Sequence, residues 1–209
     1  MNFFNLFFPQ SIHLPDSRYN KNISVTRYFQ SNTLLVDGLI ESGDIMTQIW
    51  RKGLNAFLPR NFHPRKVLLL GLAGGCNAKL INRCFPQAKI TAVEIDPAMV
   101  DIGNRYFDLQ KINNLHIVVA DALDFINHLK SSDSFDLVLV DCFVGQSIPK
   151  KLENLAFVRK LKDHCRFVLI NRLWWSKEKD ITLNFFRSLS TRFFFIKTHT
   201  RTNVLISLV

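Results

Sequence analysis

The sequence predicts an α/β protein with a Rossmann-like, doubly wound and mostly parallel sheet, preceded by a small N-terminal β-hairpin cap. Three observations predict this class. After Pro64, apolar strand-like runs alternate with helix-like segments, a glycine-rich turn follows the first run, and an acidic residue follows each of the next three. Hydrophobic residues make up 47% of the 209, among them 19 Phe, which is enough apolar material for one such core.

Residues 1–60 are predicted to form the cap, and residues 61–209 the Rossmann-like domain. A polar stretch containing Pro59 and Pro64 marks the boundary between them. Within the cap, Asp37-Gly38 is a hairpin-type turn signal. Asp44 is placed to cap a helix whose apolar residues recur at near-helical spacing. The predicted strands are 24–29, 33–36 and 39–41, and the predicted helix is 45–57.

The second region alternates strands and helices, as expected for repeated β-α-β units. Its first strand is wholly apolar, which suits a central parallel strand covered on both faces. Its last two strands are a few residues apart, so we expect an antiparallel hairpin at one edge of the sheet. The predicted strands are 67–70, 89–93, 115–119, 135–140, 167–170, 193–196 and 204–208, and the predicted helices are 77–84, one starting near Pro97, 124–129, 152–161 and 181–189.

The residues that follow the strands predict a nucleoside site, because ligands of such sheets lie at the carboxyl ends of the strands. Small residues at 71–75 let the backbone approach a ligand closely. Glu94, 23 residues beyond Gly71, can accept bonds from both ribose hydroxyls. Asp121 is placed to accept from an adenine amino group, although it can also cap the next helix. The predicted nucleoside-binding residues are Gly71, Leu72, Gly74, Glu94, Ile95, Asp121 and Ala122, and the predicted catalytic residue is Asp141.

Dinucleotide binding is the nearest competing interpretation of this pattern. Against it, the second and third glycines of the G-x-G-x-x-G fingerprint are replaced by Ala73 and Cys76. The closing hairpin also suits a methyltransferase-type sheet better than a dinucleotide-binding one. The sequence therefore favours an adenosyl nucleoside of the S-adenosylmethionine type.

Four segments resemble the successive core motifs of the spermidine synthases and their methyltransferase-fold relatives: VLLLGLAGG, AVEIDPAMV, VVADALDFI and FDLVLVD. A fifth, LLVDGLIESGD, resembles that family's N-terminal β-hairpin and favours spermidine synthases over generic methyltransferases. The resemblance implies aminopropyl transfer from decarboxylated S-adenosylmethionine to a diamine. By position it implies that Glu94 holds the ribose, that Asp121 and Ala122 hold the adenine, and that Asp141 positions or deprotonates the attacking amine.

The sequence departs from that family's pattern mainly in the half of the site that holds the amine. Gly74 replaces an Asp of the glycine motif, and Val144 replaces the second acid of the D-x-x-D loop. Glu41 replaces the Gln that follows the hairpin, and Thr47 and Gln48 stand near the place of a Tyr-His pair. A dication needs several carboxylates to offset its desolvation. We therefore expect poor synthesis of spermidine from putrescine.

Three functions remain open at this point. The first is a spermidine-synthase-like transferase that uses decarboxylated S-adenosylmethionine, with a small-molecule amine or another acceptor. The second is a methyltransferase that uses S-adenosylmethionine itself, which Gly74 permits because no acid there would repel the methionine carboxylate. The third is a non-catalytic binding protein on the same fold. None of the three requires a metal ion.

Charge and cysteine content give expectations about partners and compartment. The net charge of +10 is concentrated in the last 59 residues, which hold 12 basic and 4 acidic side chains. These charges are scattered without an interleaved aromatic motif, which favours a solvated basic face over a nucleic-acid site. Since Cys76, Cys84, Cys142 and Cys165 form no C-x-x-C pair and have no His at ligand spacing, we expect neither zinc nor disulfides, and a reduced cytoplasmic protein.

The N-terminus, MNFFNLFF, is apolar but far too short to span a bilayer, and it has no basic residue before its apolar run. A secretory signal or membrane association is therefore not expected. A lone domain would have difficulty covering this segment, so we expect the cap to help form a homodimer.

Overall fold

The computed structural model describes residues 8–145 and 147–208; the predicted apolar arm of residues 1–7 lies outside them. Two sheets and six α-helices make up the described chain. The strands are β1 Gln10–His13, β2 Ser24–Tyr28, β3 Ser31–Val36, β4 Leu39–Ser42, β5 Lys66–Leu70, β6 Lys89–Glu94, β7 Leu115–Val119, β8 Phe135–Val140, β9 Cys165–Leu173, β10 Phe195–His199 and β11 Asn203–Leu208. The helices are α1 Asp44–Phe57, α2 Cys76–Cys84, α3 Pro97–Phe107, α4 Ala122–Asn127, α5 Leu155–His164 and α6 Ser176–Leu189.

The larger sheet has seven strands in the order β10-β11-β9-β8-β5-β6-β7. Strands β5 to β9 are parallel, while β11 runs antiparallel to both β9 and β10. The predicted fold class is thus confirmed, and so is the closing hairpin. The chain passes from β5 outward to β6 and β7 and then returns to β8 on the other side of β5. This switch point opens a crevice at the carboxyl ends of β5, β6 and β8.

The N-terminal sheet is an antiparallel meander in the order β1-β2-β3-β4. Its inner face packs on α3: Ile23, Val25, Leu34 and Val36 form one apolar cluster with Met99, Ile102 and Phe107. Strand β1 was not predicted from the sequence. All four of its residues are exposed, so it carries no alternation of buried and exposed residues and pairs with β2 through its backbone.

Helix α1 packs on the larger sheet. Its buried residues Met46, Ile49, Trp50 and Leu54 belong to the same core cluster as Leu205 of β11. The contact is close, because a Cβ at Gly53 would lie 2.5 Å from Leu205 Cδ1. A domain boundary at residue 60, as predicted, would therefore place α1 in a different domain from the sheet on which it packs.

Two helices begin at residues other than those predicted, because capping residues determine where each helix starts. Helix α4 begins at Ala122 because the Asp121 carboxylate accepts bonds from the N–H groups of Leu123 and Asp124. The helix predicted at 152–161 is divided: a 3₁₀ turn spans Lys150–Glu153, and Asn154 then caps α5. Among the described residues, no helix is both long and apolar enough to cross a membrane.

Candidate functional site

The glycine turn after β5 brings β5 and β8 together at the switch point. Gly71 has φ +85°, and a Cβ there would lie 2.2 Å from the carbonyl oxygen of Asp141. Only glycine suits this position, because other residues avoid a positive φ and the site has no room for a side chain. The close approach places Asp141, directly after β8, beside the turn that follows β5.

Glu94, the last residue of β6, stabilises the same glycine turn through hydrogen bonds. Its Oε2 accepts bonds from the N–H groups of Leu72 and Ala73 at 2.8 and 3.0 Å, and its Oε1 accepts from the Asp96 N–H at 3.0 Å. Burial raises the pKa of Glu94, and these three N–H groups oppose that rise. A carboxylate oxygen can accept two bonds, so Oε1 keeps a lone pair for a further donor.

Asp121 both caps α4 and holds the segment that follows β8. One oxygen accepts the helix N–H bonds, and the other is paired with the Lys151 ammonium. Partial burial acts to raise the pKa of Asp121, but Lys151 and the N–H groups outweigh it and lower the pKa. The sequence left open whether Asp121 caps a helix or lines the ligand site, and one side chain can do both.

A second ion pair fixes the same segment to the core. Arg172 of β9 is 2% exposed, and its Nη2 lies 2.5 Å from Glu153 Oε1. Its guanidinium also lies over the Phe185 ring, 4.5 Å from the centroid. The 3₁₀ turn Lys150–Glu153 is therefore held by two ion pairs. Lys151 pairs with Asp121 at the start of α4, and Glu153 pairs with Arg172 of β9.

These elements border an open cleft at the switch point, which we call the donor-side cleft. The cap contributes Asn20, Val36 and Glu41 to it, and the segment after β8 contributes residues from Cys142 to Leu152. Four acidic residues line the cleft, with no basic side chain among the described residues there. The predicted residues that line this cleft are Gly71, Glu94, Ile95, Asp121, Ala122 and Asp141.

Two predicted nucleoside-binding residues do not line the donor-side cleft. The Leu72 side chain is buried in the core, and only its N–H serves the site, through Glu94. Gly74 lies against the cap: a Cβ there would be 2.8 Å from the Ser42 Cβ and 3.0 Å from the Phe107 ring. The absence of an acid at Gly74 therefore reflects packing between the cap and α3.

Asp141 is held by side chains that come from distant parts of the chain. Its Oδ2 accepts from Trp50 Nε1 at 2.7 Å, and its Oδ1 accepts from Asn171 Nδ2 at 2.8 Å. Asn171 in turn accepts from Asn203 Nδ2 at 3.0 Å. Burial raises the pKa of Asp141, the two donors oppose the rise, and Glu94 adds to it. These partners, Trp50, Asn171 and Asn203, were not predicted because α1, β9 and β11 come together only in the folded protein.

Glu41 is the main candidate that sequence analysis did not place in the site. It lies in β4, the second strand of the cap hairpin, and lines both the donor-side cleft and a second cleft. No other described side chain or N–H group donates a hydrogen bond to it. Burial raises its pKa to about 8, with further contributions from the negative charges of Asp141 and Glu94. Its replacement of the Gln expected there was the one sequence signal.

The second cleft, which we call the acceptor-side cleft, lies between the cap, α1 and the ends of β9 and β11. Glu41 and Phe143 line both clefts, and we call the place where they lie the junction. Trp175 lines the acceptor-side cleft, whereas Trp174 stacks on Phe186 with ring centroids 6.2 Å apart. Glu41 is therefore the acidic residue that the two clefts share.

The cysteines do not supply a nucleophile or a metal site. Burial raises the pKa of Cys142 well above its usual value, and nearby carboxylates raise it further, so the group stays a thiol. Burial likewise raises the pKa of Cys76. Within the described ranges, no three His, Cys, Asp or Glu side chains are grouped to hold a metal ion.

Glu41→Gln is expected to stabilise the protein at high pH. The Glu41 pKa is near its ordinary 4.5 when unfolded and about 8 when folded. A raised carboxyl pKa contributes stability that is complete below pH 4.5 and is lost as pH rises through 8. The variant should therefore melt close to wild type at pH 4.5 and several degrees above it at pH 8.5.

Melting temperatures from circular dichroism across this range provide the measurement. Asp163→Asn, which removes an exposed carboxylate away from both clefts, is the matched control and should show no such trend. A Glu41→Gln difference that stays constant with pH would contradict the burial of this charge.

Comparisons with known proteins connect this geometry to group transfer. Residues 67–165, just under half of the chain, match the family model described as a methyltransferase domain. An eEF1A lysine and N-terminal methyltransferase homolog from Drosophila melanogaster is 41% identical over 85 residues, covering 38% of this chain and 13% of that protein. A polyamine aminopropyltransferase from Chromobacterium violaceum is 30% identical over 133 residues, covering 62% and 50%. The chain thus spans half or less of each of these relatives.

Solved structures agree on the fold. Spermidine synthase from Thermotoga maritima superposes with a TM-score of 0.73 at 14% identity, covering 95% of this chain and 72% of that one. Human methyltransferase-like protein 13, in complex with SAH, gives 0.61 at 20% identity, covering 69% and 71%. At these identities the likeness concerns the fold alone, which is the methyltransferase Rossmann-like fold.

Proposed function

We propose that this methyltransferase-type domain transfers the methyl group of S-adenosylmethionine to an amine nitrogen. The observation that carries the proposal is the junction of the two clefts, where Glu41 faces both. A carboxyl group there with a pKa of about 8 suits proton transfer near neutral pH. The match of residues 67–165 to a methyltransferase domain supports methyl as the transferred group.

The donor-side cleft fits an adenosyl sulfonium in two respects. Glu94 Oε1 has one backbone donor and a spare lone pair on the lining, which suits a ribose hydroxyl. The lining holds four acidic residues and no basic side chain among the described ones, which favours a positively charged donor. In this proposal Glu94 holds the ribose, Asp121 and Ala122 border the adenine, and the backbone of Gly71 allows close approach.

The proposed reaction is a displacement at carbon. When bound, the donor supplies a sulfonium-activated methyl carbon, the amine nitrogen forms a bond to it, and the carbon–sulfur bond breaks to leave the neutral thioether. The amine must first lose a proton, which Glu41 accepts once it is ionised. A nearby sulfonium would favour that ionised form and lower the Glu41 pKa. Asp141, fixed by Trp50 and Asn171, orients the amine.

Aminopropyl transfer is the second candidate, and a specific observation favours it. No described basic side chain lines the donor-side cleft, so nothing there pairs with the carboxylate of S-adenosylmethionine; the decarboxylated donor would avoid that mismatch. Glu41 also supplies a second acid beside Asp141 on the lining of the same cleft, although Val144 stands where the D-x-x-D loop would have one. The same displacement geometry serves both reactions.

Calorimetric titration with S-adenosylmethionine and its decarboxylated form separates the two candidates. We expect the first to bind and to methylate amines in a radiolabelled-methyl assay, and we expect little turnover of decarboxylated donor with putrescine. Tighter binding of the decarboxylated donor, with turnover in the usual ~1–10³ per second range, would establish aminopropyl transfer instead. Binding of either nucleoside without any transfer would favour a non-catalytic protein.

A further inference from the structure

The acceptor-side cleft carries two charged side chains of opposite sign among its described lining residues, Glu41 and Arg201. Glu41 lies at the junction with the donor-side cleft, whereas Arg201 lines only the acceptor side and is exposed. When the bound sulfonium favours the ionised form of Glu41, the cleft is negative at its inner end and positive at its outer end. A ligand with the reverse polarity would match it.

The lining between these two groups is mainly apolar. Apolar side chains come from the cap hairpin, from α1 and from β9, and the aromatic rings of Phe143 and Trp175 add flat surfaces. Such a lining favours an aliphatic stem, because each methylene that leaves water for an apolar surface stabilises the complex. The apolar aliphatic residues are Leu39, Ile40, Ile45, Met46, Ile49 and Leu173.

Arg201 is presented by a well-bonded turn between β10 and β11. The Thr200 N–H donates to the Asn203 carbonyl at 2.8 Å, and the Asn203 N–H donates to Thr200 Oγ1 at 3.0 Å. The Trp174 N–H donates to the Thr202 carbonyl at 2.8 Å, which ties the turn to the end of β9. The Arg201 guanidinium itself forms no ion pair or hydrogen bond with any described residue, so it remains available to an anion.

We propose that the acceptor is a primary amine on an aliphatic stem whose far end carries an anionic group, with Arg201 binding the anion and Glu41 facing the amine. A guanidinium suits this role because its planar donors match a carboxylate or phosphate. This inference rests on the proposed function of the two clefts. It also predicts that a diamine is a poor acceptor, since its second ammonium would lie beside Arg201.

Three ligands with the same six-carbon stem test the proposal: 6-aminohexanoate, hexylamine and 1,6-diaminohexane. Each is titrated by calorimetry into the protein saturated with SAH. We expect 6-aminohexanoate to bind most tightly and 1,6-diaminohexane least. Arg201→Ala should weaken 6-aminohexanoate about 5-fold or more and leave hexylamine within twofold. Arg201→Glu should reverse the order so that the diamine binds best.

Arg192→Ala is the matched control, because it removes an exposed arginine that lines neither cleft and should change none of the three affinities. Equal losses in both alanine variants, a wild-type preference for the diamine, or no measurable binding of 6-aminohexanoate would overturn the proposal. The SAH titration keeps the two ideas apart. If SAH binds and amines are methylated without this preference, only the acceptor assignment fails; if SAH does not bind, the proposed function fails.

Discussion

Asp141→Asn is expected to reduce turnover about 10²–10⁴-fold while nucleoside affinity stays within a few-fold. Asp141 lies at the end of β8 on the lining of the donor-side cleft, and its charge is near Glu41 at the junction. In the proposed reaction it orients the attacking amine. Removing its charge should therefore affect the reacting nitrogen far more than the nucleoside.

The substitution also disturbs the contacts that hold the side chain. The carboxylate accepts from both Trp50 Nε1 and Asn171 Nδ2, whereas an amide presents an acceptor to one donor and an N–H₂ group to the other. One bond is then lost in a buried place, at a cost of about 1–3 kcal/mol in stability. Turnover and melting temperature must be measured on the same sample.

Asn171→Ala is the informative companion variant, because it removes one donor and leaves the Asp141 charge in place. If the charge matters, Asn171→Ala should lose stability comparably to Asp141→Asn but lose much less turnover. If both variants melt early and retain turnover within a few-fold, Asp141 has a structural role alone. The methyl-transfer assay, with nucleoside affinity measured in parallel, decides between these outcomes.

Glu94→Ala is expected to weaken binding of methylthioadenosine by about 30- to 150-fold, corresponding to about 2–3 kcal/mol. Two losses combine. The ribose would lose a charged acceptor, and the N–H groups of Leu72, Ala73 and Asp96 would lose the carboxylate that holds the glycine turn in place. The variant should therefore also melt at a lower temperature than wild type.

Asp101→Ala provides the control for removal of an acid near this site. Asp101 lies on α3 in an exposed pair with Arg105, 2.9 Å away, and lines neither cleft. Its loss should leave methylthioadenosine affinity unchanged, since exposed pairs contribute little. Wild-type affinity in Glu94→Ala, measured by calorimetry, would contradict the assignment of the ribose to Glu94.

From β5 onward, the order of strands and helices, the glycine turn and the acids at the strand ends follow from the sequence alone. These features depend on local physics. An apolar run such as 67–70 has to be covered on both faces, Asp121 caps the helix that follows it, and the φ of +85° at Gly71 favours glycine. Since the carboxyl ends of parallel strands meet at the switch point, this pattern is sufficient to predict that Glu94, Asp121 and Asp141 lie together.

How those acids are held, and which further acid joins them, depends on the tertiary structure. Trp50 is 91 residues from Asp141 along the chain and Asn171 is 30, and no sequence period relates them. The Glu41 pKa of about 8 likewise arises from burial and from two carboxylates of other strands. Gly74 contacts the cap and α3 and not the cleft, because Ser42 and Phe107 pack against it. Contacts of this kind depend on long-range packing, which local propensity does not encode.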